Sequence, residues 1–270
     1  MFFQSFFTNR QIFTTEEVRN IISSNKDKST LKNLMTYHLN KGHIIRIRRA
    51  LYYVVPKGIT PESSPVDPYL ICSKMASDAL LGYHTALAYF GKLHSIRNDF
   101  IYITQQKVKS PFSFREETYQ GVSLPKKLQQ SKVMDLGVQT CHHLSHQIRV
   151  TSLERTFIDV LDRPALVGDW EEIWRSLESI EYLDLDQVLT YALSLGNATT
   201  IAKAGFFLEM HQENLMIPDQ FLKKLSTHCP LKPHYLDRHT NEPQKLMKRW
   251  KLIVPQHLLQ RNWEEPHENI

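Results

Sequence analysis

KGHIIRIRRALYYVV, residues 41–55, decides how the front of this chain is read. Residues 43–48 and 51–55 are rich in Ile, Val and Tyr with a short turn between them, which is the pattern of a β-hairpin. Arg46, Arg48 and Arg49 crowd three positive charges into its tip. The guanidinium group is planar, always charged and shaped to pair with phosphate. The hairpin is therefore expected to meet a nucleic-acid backbone.

Working upstream, Thr14 and Glu17 are spaced as a capping box. Phe13 is placed to staple onto Val18 before an apolar face of Val18, Ile21 and Ile22. Ser29 is placed to cap a second helix, in which Leu31, Leu34, Met35 and Leu39 form one stripe. Gly42 follows where a left-handed terminator belongs. The other face carries Thr30, Lys32, Asn33, Thr36, Tyr37 and Asn40 and no acidic residue. These are groups that hydrogen-bond phosphates and base edges.

Helix, helix and basic hairpin in that order predict a winged helix-turn-helix over residues 1–58, its second helix in the major groove. The DNA-contacting set is then Ser29, Thr30, Lys32, Asn33, Thr36, Tyr37, Asn40, Arg46, Arg48 and Arg49. The same fold also serves protein contacts.

Charge supports the polyanion reading. Residues 1–58 hold ten Lys/Arg and three Asp/Glu, a net of +7, whereas the other 212 residues hold 23 and 25, a net of −2. The opening MFFQSFFTNRQ lacks a basic start and a small-residue cleavage site, so it does not read as a signal peptide; its phenylalanines follow helical spacing instead. No apolar run is long enough to span a membrane. Cys72, Cys141 and Cys229 are few, odd in number and far apart, which suits a reducing cytoplasm.

The Pro/Ser-rich stretch PKGITPESSPVDP marks a linker, placed at 59–68. Beyond it, residues 69–260 read as an α/β domain that turns helical from about 151, with a tail at 261–270. Asp67 and Pro68 start a helix running toward Gly82; YHTALAYFG is another; DFIYITQ is a buried strand. FSFREETYQGV and VQTCHHLSHQIRV read as further strands with turns near Gly121 and Ser145. Thr151 and Glu154 suggest a second capping box, with Arg155 and Asp159 spaced to pair on that helix's surface. Helices follow at 169–181, at 184–195 between Asp184 and Gly196, at 197–212 from Asn197, and after Pro218. The fold class is therefore α+β. Residues 151–190 carry ten acids and three bases, which fits a solvated helical face, though repulsion of DNA and a basic partner stay open. KLMKRWKLIVP reads as a buried strand edge around Trp250 rather than as a base-stacking surface.

No catalytic constellation emerges: there is no Gly-rich phosphate loop, no CxxC pair and no HExxH. Cys141, His142, His143 and His146 lie on a strand, where neighbours point to opposite faces, so no metal site is expected. The expectation is a non-enzymatic protein with no cofactor.

GHIIRIRRALYYV, GYHTALAYFG, VTSLERTFIDVL and the late RWKLIVP together resemble the AbiEi antitoxins of type IV toxin–antitoxin systems, bacterial phage-defence proteins. The likeness runs over nearly the whole chain and is most specific at Glu154, Arg155, Thr156 and Asp159. It implies that the first domain binds promoter inverted repeats as a repressor, with a homodimer on the DNA. It implies that the second domain opposes a nucleotidyltransferase toxin, with direct binding left open. The family's hairpin usually turns on glycine, where this chain has Ala50; a turn needing φ > 0 would strain it. The alternatives are a regulator whose α/β domain senses a small ligand, and a DNA-processing nuclease.

Overall fold

The chain is α+β and sorts into two units, Met1–Leu81 with Asn98–Ser123 and Thr140–Arg149, and Gly82–Arg97 with Leu124–Gln139 and Val150–Ile270. The computed structural model describes residues 10–21, 28–131, 133–144, 146–238, 240 and 242–260, with only the backbone of 21 and 28–30. The helical reading of the first phenylalanines and the tail at 261–270 lie outside the described residues.

In the first unit, β1 (Ile12–Thr14) leads directly into α1 (Thr15–Ile21), followed by α2 (Lys28–Asn40) and the hairpin β2 (Ile44–Arg48) and β3 (Leu51–Val54). The capping box forms as expected. The Thr14 N–H donates to Glu17 Oε2 at 2.7 Å, and the Glu17 N–H to Thr14 Oγ1 at 3.2 Å. Phe13, Val18, Met35, Ile44 and Tyr52 are buried together, with Leu31, Leu34, Leu39 and Val54 packed against them. Each such side chain gains about 1.5–3 kcal/mol on leaving water, which holds two short helices that would not persist alone. The sequence reading missed β1, which pairs antiparallel with β3 to give the order β1-β3-β2. Ser29 is not the cap, because α2 already begins at Lys28.

The division between units does not fall at 59–68. Arg115 donates to the carbonyls of Ser64 at 2.6 Å and Pro61 at 3.0 Å, and Tyr53 donates its hydroxyl to the carbonyl of Pro65 at 2.8 Å. The proline-rich stretch is thus pinned to the first unit. There α3 (Pro68–Ser73) is capped by Asp67, whose Oδ1 accepts from the Leu70 N–H at 2.9 Å. It stops at Ser73, well short of Gly82.

A six-stranded sheet follows, with β4 (Leu80–Leu81), β5 (Asp99–Thr104), β6 (Phe112–Phe114), β7 (Glu117–Ser123), β8 (Val138–His143) and β9 (His146–Thr151) in the order β6-β7-β5-β4-β9-β8. The apolar run of β5 is buried from Phe100 to Thr104, as an interior strand requires. Gly121 is not at a turn but within β7. A Cβ there would meet the Tyr102 hydroxyl at 2.8 Å, so glycine is needed for packing. The turn lies instead at Arg115, in the left-handed region.

The second unit is mostly helical: α4 (His84–Tyr89), α5 (Lys126–Gln130), α6 (Leu153–Asp162), α7 (Trp170–Glu178), α8 (Leu185–Leu195), α9 (Ala198–Met210) and α10 (Asp219–Ser226). Asp184 and Asn197 cap as expected, and Gly196 closes α8 at φ 63°. Phe157, Trp174, Phe206 and Phe207 form an aromatic core. The chain ends its described part with β10 (His234–Tyr235), β11 (Gln244–Met247), β12 (Leu252–Pro255) and α11 (Gln256–Gln260), the strands ordered β10-β12-β11. Trp250 is fully buried, as expected, and donates its indole N–H to Glu209 at 2.5 Å. Gly205 makes room for it, since a Cβ there would sit 1.9 Å from the indole ring.

Candidate nucleic-acid interface

The end of α2 sets the geometry. Gly42, at φ 67°, donates its N–H to the carbonyl of Leu39, and His43 donates its N–H to that of His38, both at 3.0 Å. This is a Schellman closure, and it turns the chain straight into β2. The apolar stripe of α2 faces the core. Lys32, Asn33, Thr36, Tyr37 and Asn40 are exposed, Tyr37 to 54%. Ser29 and Thr30 are in the first turn of α2, with side chains outside the described residues.

The hairpin tip is built on a bulge. Arg46 lies opposite Tyr52 and Arg48 opposite Leu51, with the register shifting between them. Arg49 and Ala50 make the turn, Ala50 at φ 67°. The Ala50 carbonyl accepts the Thr15 N–H at 2.9 Å, which ties the tip to the start of α1. Alanine therefore occupies a conformation that favours glycine, held there by the fold around it.

Of the three arginines, Arg46 and Arg49 are exposed. Arg48 is not: it is half-buried, and its Nη2 donates to the carbonyl of Met75 at 2.6 Å. The expectation that all three face DNA is corrected for Arg48. The bulge turns its side chain inward, and a carbonyl there takes one of its donors.

A feature the sequence reading missed lies beside Tyr37. His38 and His43 bring their Nδ1 atoms to 3.1 Å, with ring contacts to Tyr37 at 5.2 and 6.5 Å. Burial, and then the neighbouring His43, hold His38 below the ordinary imidazole range. The only sequence signal was a histidine on each side of the helix-terminating glycine. Glu17 does more than cap α1: it also pairs with Lys74. Burial pushes its carboxyl up, but Lys74 at 2.6 Å and the Thr14 N–H outweigh that and hold it below the usual value.

The segment Glu154, Arg155, Thr156 and Asp159 sits in the second unit and makes a different kind of site. Arg155 and Asp159 are 0% and 2% exposed, so the expected surface pair is a buried one. Arg155 donates from Nη1 to the carbonyls of Met134 at 2.7 Å and Leu136 at 2.9 Å, and stacks over the Tyr191 ring at 5.1 Å. Burial raises the Asp159 carboxyl, and the charge of Arg155 opposes that. The second capping box does not form. Ser152 is the cap, Thr156 donates its hydroxyl to the Ser152 carbonyl at 2.7 Å, and Glu154 accepts the Asp184 N–H at 3.2 Å. The motif thus braces the helical core.

Of the CHHLSH histidines, His143 binds Asp67 at 2.9 Å and His146 accepts the Gln11 N–H at 3.2 Å. Among the described residues no group of three or more His, Cys, Asp or Glu is placed to hold a metal ion, and no helix is long and apolar enough to cross a membrane.

No family model matches this chain, and no curated protein matches it. A solved structure similar to it is that of the RV2827C protein from Mycobacterium tuberculosis. The two share 13% sequence identity at a TM-score of 0.64, over 95% of this chain and 90% of that one. That likeness is one of fold.

Proposed function

We propose that the chain is a non-enzymatic, DNA-binding transcriptional repressor of its own promoter, with a winged helix-turn-helix at its front. The observation that carries this reading is the exposed face of α2. It presents Lys32, Asn33, Thr36, Tyr37 and Asn40 without one carboxylate, on the same small core as the exposed Arg46 and Arg49. The +7 charge of residues 1–58 adds long-range attraction to a duplex. In this reading α2 enters the major groove, the two exposed arginines hold backbone phosphates, and two copies sit on an inverted repeat.

The resemblance at residues 154–159 adds the second half of the proposal: a cytoplasmic antitoxin whose functional partner is a nucleotidyltransferase toxin. The buried Arg155–Asp159–Tyr191 group suits a role in holding the second unit's shape rather than in touching that partner.

The test uses the full chain. It should shift a duplex from its own promoter and not an unrelated one of equal length, and its co-expression should rescue growth from the neighbouring gene's product. Equal binding to both duplexes would remove the repressor reading. Failure to rescue would remove the antitoxin reading and leave the repressor standing.

A further inference from the structure

His38 lies in the last turn of α2, and His43 follows directly after the terminating Gly42. The closure that ends the helix also brings them together. The His43 N–H donates to the His38 carbonyl at 3.0 Å, and the two side chains then meet Nδ1 to Nδ1 at 3.1 Å. Their ring centroids are 5.4 Å apart, and Tyr37 lies edge-on to both. His43 is exposed and His38 half-buried, so solvent reaches the pair beside the exposed Tyr37.

A hydrogen bond between two ring nitrogens needs one N–H donor and one bare acceptor. At most one of the two rings can therefore be cationic while the contact lasts. Charging both turns both Nδ1 atoms into donors that face one another, and the two positive rings repel. Burial, and then the neighbouring charge of His43, hold the His38 imidazole below its ordinary range. The titratable and charged side chains of the adjoining elements are Tyr37 and Lys41 at the end of α2, Arg46 on β2, and Lys57 and Glu62 on the stretch whose Pro61 lies against Gly42. Glu62 is the single acid among them, and residues 28–58 contain no Asp or Glu at all. The doubly charged pair thus calls for an anion from outside this segment.

We propose that His38 and His43 form a further phosphate-binding point of the DNA face, one that operates only when both rings are protonated. A duplex phosphate then accepts an N–H from each ring, in place of the hydrogen bond between them. Arg46 and Arg49 keep their charge at any working pH. The histidine pair adds a contact that appears and disappears across the range in which imidazole titrates. A transition metal is another guest of paired imidazoles, but it needs more ligands, and among the described residues no third His, Cys, Asp or Glu joins these two to hold one. The proposal rests on the DNA reading of this unit and says what regulates it. The bound pair holds more protons than the free pair, so affinity rises as pH falls and is level above the imidazole range.

The experiment follows binding of the full chain to its own promoter duplex by anisotropy, over a series of salt concentrations, at about pH 8 and about pH 5.5. The wild type should bind about fivefold or more tightly at the lower pH. Its slope of log affinity against log salt should steepen there by about 0.9, the mark of one added phosphate. His38→Gln and His43→Gln each leave one ring, whose charged form still finds an acceptor in the new amide, so both should lose the steepening. His142→Ala, which removes an exposed histidine of β8, should keep it. Melting curves that match the wild type at both pH values confirm that the variants fold. The proposal is overturned if the wild-type slope is the same at both pH values, if either glutamine variant keeps the steepening, or if His142→Ala removes it. Binding at neither pH removes the repressor reading, and this proposal with it.

Discussion

Arg155 and Asp159 meet at 3.3 Å, one turn apart on α6, with almost no side-chain surface exposed, and Tyr191 donates its hydroxyl to the same carboxylate at 2.6 Å. An ion pair in this position is maintained by its partners. Removing one member leaves the other charged and out of water, which costs about 3–5 kcal/mol. Asp159→Ala is therefore expected to lower the unfolding free energy by that order in a urea titration. The double change Arg155→Met with Asp159→Leu should recover most of the loss, since two apolar groups leave no charge stranded. A double variant no more stable than Asp159→Ala would show that the pair is not the relevant unit.

Ala50 supplies the second prediction. At φ 67° it carries left-handed strain, whereas glycine adopts that region freely but loses more entropy on folding. The first effect is the larger, so Ala50→Gly should stabilise the protein by about 0.5–1 kcal/mol. Ala50→Val should destabilise it, since a β-branched residue fits this region worse. Thermal melting of the two variants reads the sign directly.

The third prediction concerns pH. Lys203 on α9 is 8% exposed, donates to the Leu161 carbonyl at 3.1 Å and lies over the Trp170 ring at 5.0 Å. Burial pulls its amine down to about 8, against an unfolded value near 10.4. Between those two values the unfolded chain holds the extra proton, so stability attributable to this group rises with pH and is flat below the lower one. Lys203→Met should flatten the pH 8–10 limb of a stability profile. A variant that keeps the wild-type slope there would place the titration elsewhere.

What the sequence made legible was local. The Thr14–Glu17 box, the caps at Asp67, Asp184 and Asn197, and the terminators Gly42 and Gly196 each depend on residues a few positions apart. Spacing alone reports these. What it misread were relationships closed by distant partners. An i,i+4 Arg–Asp spacing is the same on a surface as in a core, and Tyr191, which reveals the difference, is 32 residues further on. Gly121 looked like a turn because the Tyr102 ring it accommodates comes from another strand. Arg48 counted as one of three equivalent charges until a bulge and the Met75 carbonyl set it apart. The proline-rich stretch looked like a linker because composition does not show what binds its carbonyls.

The central claim is that the exposed arginines of the hairpin tip hold duplex phosphates, and the salt dependence of promoter binding tests it most directly. Each phosphate contact adds about 0.9 to the slope of log affinity against log salt. Replacing Arg46 and Arg49 by alanine should reduce that slope by about 2. Arg48→Ala should instead lower the melting temperature, because its Nη2 donates to the Met75 carbonyl. A double variant whose slope matches the wild type would contradict the account.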